Sequence, residues 1–374
     1  MLLNGLVQAV RASLTRILCF GLSIMIAAPA LACTTFRLQS QDGAWITGRS
    51  MELGLDLKSN VMLVPRQFTL SAKQPGMKPG MTWAAKYGFL GINTFDLNVA
   101  TDGMNEVGLT AHALYIPGFF EYQAYGTGNK NTIANTDLVN WALSQFKTVD
   151  EVSEALKNIT VYGLDIPQIG VQPLHWAFRD ANGGSIVIEY VNKQLMVYDN
   201  PISVLTNAPN FDWHINNLRN HLNLTNINVD GLTLGKTTLR PLGQGTGMLG
   251  IPGDYTPPSR FLRVTALAFA SKPMSTAKEA SNVAFHILNA VDIPVGVVAE
   301  KIPGKDGAKD TLVFEQTQWV TVYDLQNKLA YFRTYGDLNI RQIDLNKVNF
   351  AGKVIQYVPM SGQMKAEDLT PESL

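Results

Sequence analysis

The first residues constrain the interpretation of this chain more than any other feature. A 12-residue apolar run, residues 17–28 (ILCFGLSIMIAA), follows the only two charged residues of the first 32, both arginines. This run is shorter than the roughly 20 residues that a membrane-spanning helix needs. Ala30-Leu31-Ala32 then forms an A-x-A cleavage motif directly before Cys33. The pattern predicts a secretory signal peptide over residues 1–32.

Removal of this segment limits what the cysteines can do. The chain has two cysteines, and Cys19 lies inside the apolar run and would leave with it. The mature chain of 374 − 32 = 342 residues would begin at Cys33, with no second thiol for an internal disulfide. A disulfide scaffold and a cysteine-based zinc cluster are therefore excluded. We expect the mature protein to be periplasmic or secreted, without stable membrane insertion after signal cleavage.

Three interpretations of Cys33 compete. It is a small residue that opens a strand, a lipidated cysteine of a bacterial lipoprotein, or an N-terminal nucleophile. Lipoprotein processing favours Leu at the position that Ala30 occupies here. An α-amino group has a pKa of about 8 and a thiol of about 8.5, so the amine of a leading cysteine can accept the thiol proton without a histidine. The spacing alone leaves these alternatives open.

Composition narrows the class of protein. The 30 basic residues balance the 30 acidic ones at a net charge of +0, which argues against a nucleic-acid partner. Hydrophobic residues make up 46% of the chain, enough for a large core, and wholesale disorder is excluded.

Hydrophobic patterning predicts one α+β domain over residues 33–374. The pattern predicts a β-hairpin around Asp42-Gly43, with strands at 34–38 and 44–48. Further strands are predicted at 175–179, 185–191, 195–199, 318–324 and 329–334, and helices at 136–143, 259–269 and 276–288. Strands and helices occur in groups rather than in strict alternation, which favours a layered antiparallel arrangement.

Arg49 is a candidate partner of Cys33. It lies at the end of the second hairpin strand, and the hairpin would bring it back toward the start of the first. A guanidinium beside a thiol lowers the thiol pKa, although an ordinary edge-strand arginine is an equal alternative.

Other motifs are weaker indicators of a functional site. Residues 245–250 match G-x-G-x-x-G, but Pro252 and Gly253 break the helix that a dinucleotide site needs. The five histidines form no metal-binding motif.

Several longer motifs carry a family resemblance. They are residues 32–35 (ACTT), 48–52 (GRSME), 102–109 (DGMNEVGL), 205–214 (LTNAPNFDWH), 243–247 (GQGTG) and 257–261 (PPSRF). From Cys33 to about residue 350 the chain resembles the choloylglycine hydrolase family, which comprises bile salt hydrolases and penicillin V acylases. The resemblance implies an N-terminal-nucleophile hydrolase with a four-layer αββα sandwich. The signal segment resembles that of the exported Gram-negative branch.

The resemblance also implies residue roles. Cys33 matches the nucleophile, Arg49 the arginine beside the thiol, Asn207 the oxyanion-hole amide and Arg260 the arginine near the catalytic centre. A thiolate, a nearby cation and a preset amide donor are what acyl transfer through a thioester requires.

Two positions differ from the commonest family pattern. Glu52 stands where the family usually has an aspartate that holds the α-amine. Tyr115 stands where bile salt hydrolases carry asparagine, which favours the penicillin V acylase side. Met51, Leu53 and Phe89 are candidates for lining an apolar acyl pocket.

These features together predict a cysteine-dependent amidohydrolase that cleaves an amide bond next to an apolar acyl group. Its partner is a small-molecule amide substrate, no metal or organic cofactor is expected, and the resemblance implies a homotetramer. Bile salt hydrolase and N-acyl homoserine lactone acylase are alternative activities. A non-catalytic lipoprotein or ligand-binding module is the alternative from another class.

Overall fold

The computed structural model describes residues 32–126, 128, 130–167, 169–303 and 309–371. The predicted signal segment up to residue 31, with Cys19, lies outside the described residues. Within them, the helices are α1 Leu138–Gln145, α2 Val149–Leu156, α3 Phe211–Leu218, α4 Pro257–Ala270 and α5 Ala277–Asn289. None of these described helices has both the length and the apolar character needed to cross a membrane.

Strands make up most of the described regular structure. In chain order they are β1 Ala32–Gln39, β2 Trp45–Glu52, β3 Asn60–Val64, β4 Thr69–Gln74, β5 Lys78–Ala84, β6 Phe89–Asn93, β7 Ala100–Asn105, β8 Thr110–Tyr115, β9 Thr132–Ala134, β10 Thr160–Tyr162, β11 Asp165–Ile166, β12 Gly170–Val171, β13 Leu174–Arg179, β14 Ser185–Val191, β15 Gln194–Asp199, β16 Leu232–Leu234, β17 Thr237–Leu239, β18 Val298–Ile302, β19 Thr311–Glu315, β20 Thr317–Asp324, β21 Leu329–Thr334, β22 Asp337–Asp344 and β23 Gln356–Pro359.

Two antiparallel sheets form the centre of the fold. One has five strands in the order β1-β2-β20-β21-β22, and the other has eight in the order β15-β14-β13-β8-β7-β6-β3-β23. Helices α4 and α5 pack on the five-stranded sheet, α1 packs on β7 and β8, and β1 contacts β8 between the sheets. The layers are therefore helix, sheet, sheet, helix, and the predicted αββα sandwich is confirmed.

The alternation of β1 determines where its side chains go. Successive residues of a strand point to opposite faces. Thr35 accepts a 2.9 Å hydrogen bond from Arg179 of the eight-stranded sheet. Phe36 packs instead over Gly48, beside Leu288 of α5, where a Cβ on Gly48 would lie 2.8 Å from the Phe36 ring. Cys33 shares the face of Thr35, so the chain places its thiol between the two sheets.

The hydrophobic patterns locate most elements correctly. The hairpin β1–β2 turns at Gly43, which has a φ of +88°. The strands predicted at 175–179, 185–191 and 195–199 correspond to β13, β14 and β15. The helices predicted at 259–269 and 276–288 correspond to α4 and α5. The glycine-rich residues 245–250 form a largely exposed loop with one short 3₁₀ turn, so no helix follows them as a dinucleotide site would need.

We expect Gly103→Ala to destabilise the fold by about 2–3 kcal/mol through overpacking. A Cβ on Gly103 of β7 would lie 2.3 Å from the Leu90 carbonyl oxygen and 2.8 Å from Cδ1 of Leu143. Gly253→Ala is the matched control, because nothing lies within 4 Å of its Cβ position. Urea unfolding measures both free energies, and equal stabilities for the two variants would contradict the packing argument.

Candidate active site

Cys33 lies at the centre of a polar cluster although its side chain is almost fully buried, at 1% exposure. Its register partner on β2 is Met51, whose Sδ lies 3.6 Å from the thiol Sγ. Nη2 of Arg49 lies 3.8 Å from the same sulfur. The Cys33 backbone N–H donates a 2.8 Å hydrogen bond to Oδ1 of Asn207. Both the thiol and the backbone nitrogen of Cys33 are therefore held by side chains that the sequence analysis singles out.

The surroundings of the thiol act on its ionisation in opposite directions. Burial is the largest influence and raises the pKa of the Cys33 thiol, because a low dielectric disfavours the thiolate. The charge of Arg49 and its bond to Sγ lower the pKa, whereas the charge of Glu52 raises it. Arg49 is thus the principal group that opposes the cost of burying a thiolate.

Arg49 is fixed by the eight-stranded sheet as well as by its own. Its Nη1 donates to the Thr101 carbonyl and lies 3.4 Å from Oδ1 of Asp102. Its Nη2 donates a 2.6 Å hydrogen bond to the Ala113 carbonyl, and its guanidinium lies 5.2 Å from the ring centroid of Trp319. The approach to the thiol that the hairpin predicts is therefore present, whereas the catalytic role of Arg49 stays a prediction.

Asn207 connects three parts of the site. Its Oδ1 accepts from the Cys33 N–H and, at 2.6 Å, from Nη2 of Arg260. Its Nδ2 donates a 2.7 Å hydrogen bond to the Tyr115 carbonyl. Nη1 of Arg260 also donates to the Cys33 carbonyl and to Oγ1 of Thr34, both at 2.6 Å. Arg260 lies on α4, so this arginine joins the helix layer to the first residues of β1.

Two histidines that sequence reasoning did not assign to the site hold the backbone at Asn207. Nε2 of His175 lies 3.0 Å from the Thr206 carbonyl oxygen, and its Nδ1 lies 3.0 Å from Oε1 of Glu189. Nε2 of His214 lies 3.0 Å from the Asn207 carbonyl oxygen. Burial lowers the pKa of His214 to about 4, so its neutral ring donates to that carbonyl. The sequence signal that could have assigned His214 to the site is its position seven residues after Asn207, within the same motif of residues 205–214.

Glu52 is a fully buried carboxyl group at the edge of the site. It lies opposite Ala32 in the β1–β2 register. Its Oε1 accepts a 3.2 Å hydrogen bond from Oγ1 of Thr317. Its Oε2 has no hydrogen-bond partner among the residues that the structure describes. Burial raises the pKa of Glu52 to about 7, although Arg260 opposes this shift.

Tyr115 ends β8 with its side chain buried and its carbonyl bonded to Asn207. Burial, with a smaller contribution from Glu300, raises the pKa of Tyr115 to about 12. Its hydroxyl is therefore protonated at neutral pH and can donate a hydrogen bond.

The three candidate lining residues separate into two groups. Met51 contacts the thiol, and Leu53 belongs to the same buried hydrophobic cluster as Cys33. Phe89 belongs to a different cluster, on the helix-covered face of the eight-stranded sheet. Its neighbour Leu90 points to the Cys33 side, because alternate residues of a strand point to opposite faces. The structure therefore does not bring Phe89 to the thiol, which corrects that expectation.

Several known proteins are similar to this chain. A model described as linear amide C–N hydrolases, choloylglycine hydrolase family, matches residues 33–358. The bile salt hydrolase/transferase of Clostridium perfringens is 36% identical over 332 residues, which cover 87% of this chain and 95% of that protein. The penicillin V acylase of Pectobacterium atrosepticum is 26% identical over 366 residues, which cover 92% of this chain and 87% of that protein.

Solved structures show the same fold. A crystal structure of a single-residue variant of the Clostridium perfringens conjugated bile acid hydrolase superposes with a TM-score of 0.80 at 33% identity, covering 90% of this chain and all of that one. The penicillin V acylase of Agrobacterium tumefaciens superposes with a TM-score of 0.68 at 23% identity, and the match covers 87% of this chain and 91% of that one. At that identity the second likeness concerns the fold alone.

We expect Glu52→Gln to change how stability depends on pH in a form of the protein that retains Ala32. A carboxyl whose folded pKa is about 7 binds its proton more tightly when folded than when unfolded. Stability is therefore lost as the pH rises from about 4.5 to about 7, by an amount on the order of 3 kcal/mol. Glu52→Gln removes this loss and becomes the more stable protein above neutral pH.

Urea unfolding of both proteins at pH 5 and pH 8 measures this difference. A stability difference that is the same at the two pH values would contradict the elevated pKa of Glu52.

Proposed function

Because the chain belongs to the choloylglycine hydrolase family of linear amide C–N hydrolases, we propose that it uses Cys33 as the nucleophile and cleaves amide bonds next to an apolar acyl group. The observation that carries the proposal is that the sulfur and the backbone nitrogen of Cys33 are both held within one site. The Cys33 sulfur lies 3.8 Å from Arg49, and the Cys33 nitrogen lies 2.8 Å from Asn207. Tyr115 favours penicillin V as the type of substrate.

Signal cleavage after Ala32, in the periplasm or during secretion, would give Cys33 a free α-amine. The A-x-A motif supports this step. The buried Oε2 of Glu52 supports it as well, because an unpartnered carboxylate oxygen is costly. Glu52 lies opposite Ala32 in the register, and Ala32 directly precedes the Cys33 nitrogen in the chain. An ammonium at that nitrogen would supply the missing partner of Glu52.

The proposed reaction proceeds through a thioester. The α-amine of Cys33 takes the thiol proton, and the thiolate forms a bond to the substrate carbonyl carbon. The protonated amine then gives its proton to the leaving nitrogen as the C–N bond breaks. The same amine takes a proton from water, whose oxygen attacks the thioester carbon. The C–S bond breaks, the acid leaves, and the amine returns the proton to the sulfur.

Donors that are already in place support stabilisation of the tetrahedral intermediate. The Asn207 amide nitrogen carries two hydrogens, and its bond to the Tyr115 carbonyl uses one of them. The second, with the hydroxyl or backbone N–H of Tyr115, is available to an oxyanion. Arg260 holds Asn207 through its oxygen, so the amide meets the developing charge without reorganising, which is how such donors lower a barrier.

We also propose that the protein is a homotetramer. The segment 222–249, which we name the arm, contains the hairpin β16–β17 and is mostly exposed. Its exposed apolar residues are Leu222, Ile227, Val229, Leu232, Leu234, Leu239, Leu242 and Leu249. Apolar surface of this density is uncommon on monomers and typical of contact regions. This exposed apolar surface supports the proposal that the arm packs against other copies of this chain.

We expect Cys33→Ser to lower kcat/KM toward penicillin V at least about 100-fold, because a serine hydroxyl is far less acidic than a thiol and this site activates it weakly. One extra residue placed before Cys33 in the mature protein is expected to cause a loss of similar size, since the amine becomes an amide. Cys19→Ser is the matched control and is expected to leave the mature enzyme unchanged.

Hydrolysis of penicillin V, glycocholate and a long-chain N-acyl homoserine lactone, measured in parallel on these proteins, checks the expectation. Undiminished turnover by Cys33→Ser would refute the nucleophile. A higher kcat/KM for glycocholate or the lactone would replace penicillin V by one of the alternative activities and leave the nucleophile in place.

We expect the double variant Leu234→Asp/Leu239→Asp to dissociate the tetramer, because each carboxylate would have to be buried without a partner. Leu369→Asp is the control, since Leu369 is equally an exposed leucine but lies in the C-terminal tail. Light scattering coupled to size exclusion gives the masses. A wild-type protein of monomer mass, or a tetramer that survives the double variant, would contradict the role of the arm.

A further inference from the structure

We propose that Asp102 is a positioning residue that sets how much positive charge Arg49 presents to the Cys33 thiol. The inference rests on the proposed function, in which that thiol is the nucleophile. Asp102 belongs to the 102–109 motif, yet the mechanism above gives it no part.

Asp102 is fully buried between the sheets and bonded on both carboxylate oxygens. Its Oδ1 contacts Nδ1 of His112 and lies 3.4 Å from Nη1 of Arg49. Its Oδ2 accepts from the hydroxyls of Thr321 at 2.7 Å and Tyr323 at 2.6 Å. These partners come from β8, β2 and β20, so Asp102 of β7 joins both sheets beneath the thiol.

The Asp102 carboxyl stays ionised in this setting. Burial opposes its ionisation, but His112, Arg49 and Tyr323 together hold the pKa of Asp102 well below its usual range. Burial lowers the pKa of His112 to about 4 against the pull of Asp102. His112 is therefore neutral above that pH and donates its Nδ1 hydrogen without cancelling the carboxylate charge.

A single guanidinium thus faces a carboxylate and a sulfur that becomes anionic when the thiol ionises. Nη1 of Arg49 faces Asp102, and Nη2 faces the Cys33 sulfur. In the part of the chain that the structure describes, Asp102 is the only carboxylate within 4 Å of Arg49. Because the two anions share one cation, the carboxylate weakens the attraction of Arg49 for the thiolate. The other charged groups that act on the thiol are Glu52 and Arg260, and neither forms an ion pair with Asp102.

This moderation suits the proposed chemistry. The thiol must pass its proton to an amine with a pKa of about 8, and a thiolate that is stabilised too strongly is a weaker nucleophile. Asp102 takes up part of the positive charge of Arg49 while holding Nη2 of Arg49 on the sulfur. A role in folding alone would give no reason for the thiol to change its pKa when the carboxylate charge is removed.

The test follows the thiol itself. Cys33 is the only cysteine after residue 32, so alkylation of the mature protein by iodoacetamide reports that thiol alone. We expect Asp102→Asn to move the midpoint of the alkylation rate against pH down by roughly one unit, because Arg49 loses its carboxylate. We expect kcat to fall about tenfold or more with KM nearly unchanged, because Arg49 loses the carboxylate that positions it beside the sulfur and the more stabilised thiolate is a weaker nucleophile.

A second variant moves the midpoint in the opposite direction. Thr321→Val/Tyr323→Phe removes both hydroxyl donors and keeps the carboxylate, whose charge then acts more fully on Arg49. We expect a rise of a few tenths of a pH unit, on the same electrostatic reasoning. This variant decides the question if circular dichroism shows that Asp102→Asn does not fold. Asp165→Asn, an exposed aspartate of β11, is the control and should leave the midpoint unchanged.

Each outcome bears on one proposal. A midpoint that stays fixed or moves in the reverse direction in folded variants overturns the role of Asp102. Wild-type protein that hydrolyses none of the tested amides overturns the proposed function, and the alkylation midpoints still judge Asp102 independently.

Discussion

Burial of the Cys33 thiol between two sheets is the constraint on which the rest of the site depends. A buried thiol resists ionisation, so its reactivity has to come from groups that are buried with it. Arg49 supplies the positive charge at 3.8 Å, and that charge in turn needs the carboxylate of Asp102. The polar layer beneath the thiol therefore follows from one requirement, and it ties β2, β7, β8 and β20 together.

A second set of contacts positions the backbone of Cys33 rather than its sulfur. Asn207 holds the nitrogen, and Arg260 holds both the Cys33 carbonyl and Asn207. Behind them, His175 and His214 fix the carbonyls of Thr206 and Asn207. Residues on β13, on the loop before α3, on α3 and on α4 thus converge on the first residue of the expected mature chain, which is the arrangement that a terminal nucleophile requires.

The sequence predicts the parts of this site that depend on local geometry. A hairpin with a tight turn is expected to bring Arg49 back toward Cys33. The register pairs Arg49 with Thr35, which shares a strand face with Cys33, and Arg49 reaches the thiol from there. The αββα layers and the roles of Asn207 and Arg260 follow only from the family resemblance. Asn207 is separated from Cys33 by 174 positions and Arg260 by 227, and no local sequence pattern predicts that they contact its backbone.

Contacts between distant strands were beyond sequence reasoning for the same physical reason. Asp102 meets Tyr323 across 221 residues, and only the packing of two sheets brings them together. Phe89 is expected from its apolar character to line the acyl pocket, but that character does not indicate which face of the sheet the side chain occupies. Its face follows from the β3–β6–β7 pairing, in which Leu90 rather than Phe89 belongs to the cluster of the thiol.

The central claim is that the active protein begins with Cys33 and carries both its amine and its thiol unmodified. Intact mass and N-terminal sequencing of the purified, active protein test this most directly. The account predicts Cys33 as the first residue, with the mass of the unmodified chain from residue 33. A different first residue, or a diacylglyceryl adduct on that cysteine, would contradict it.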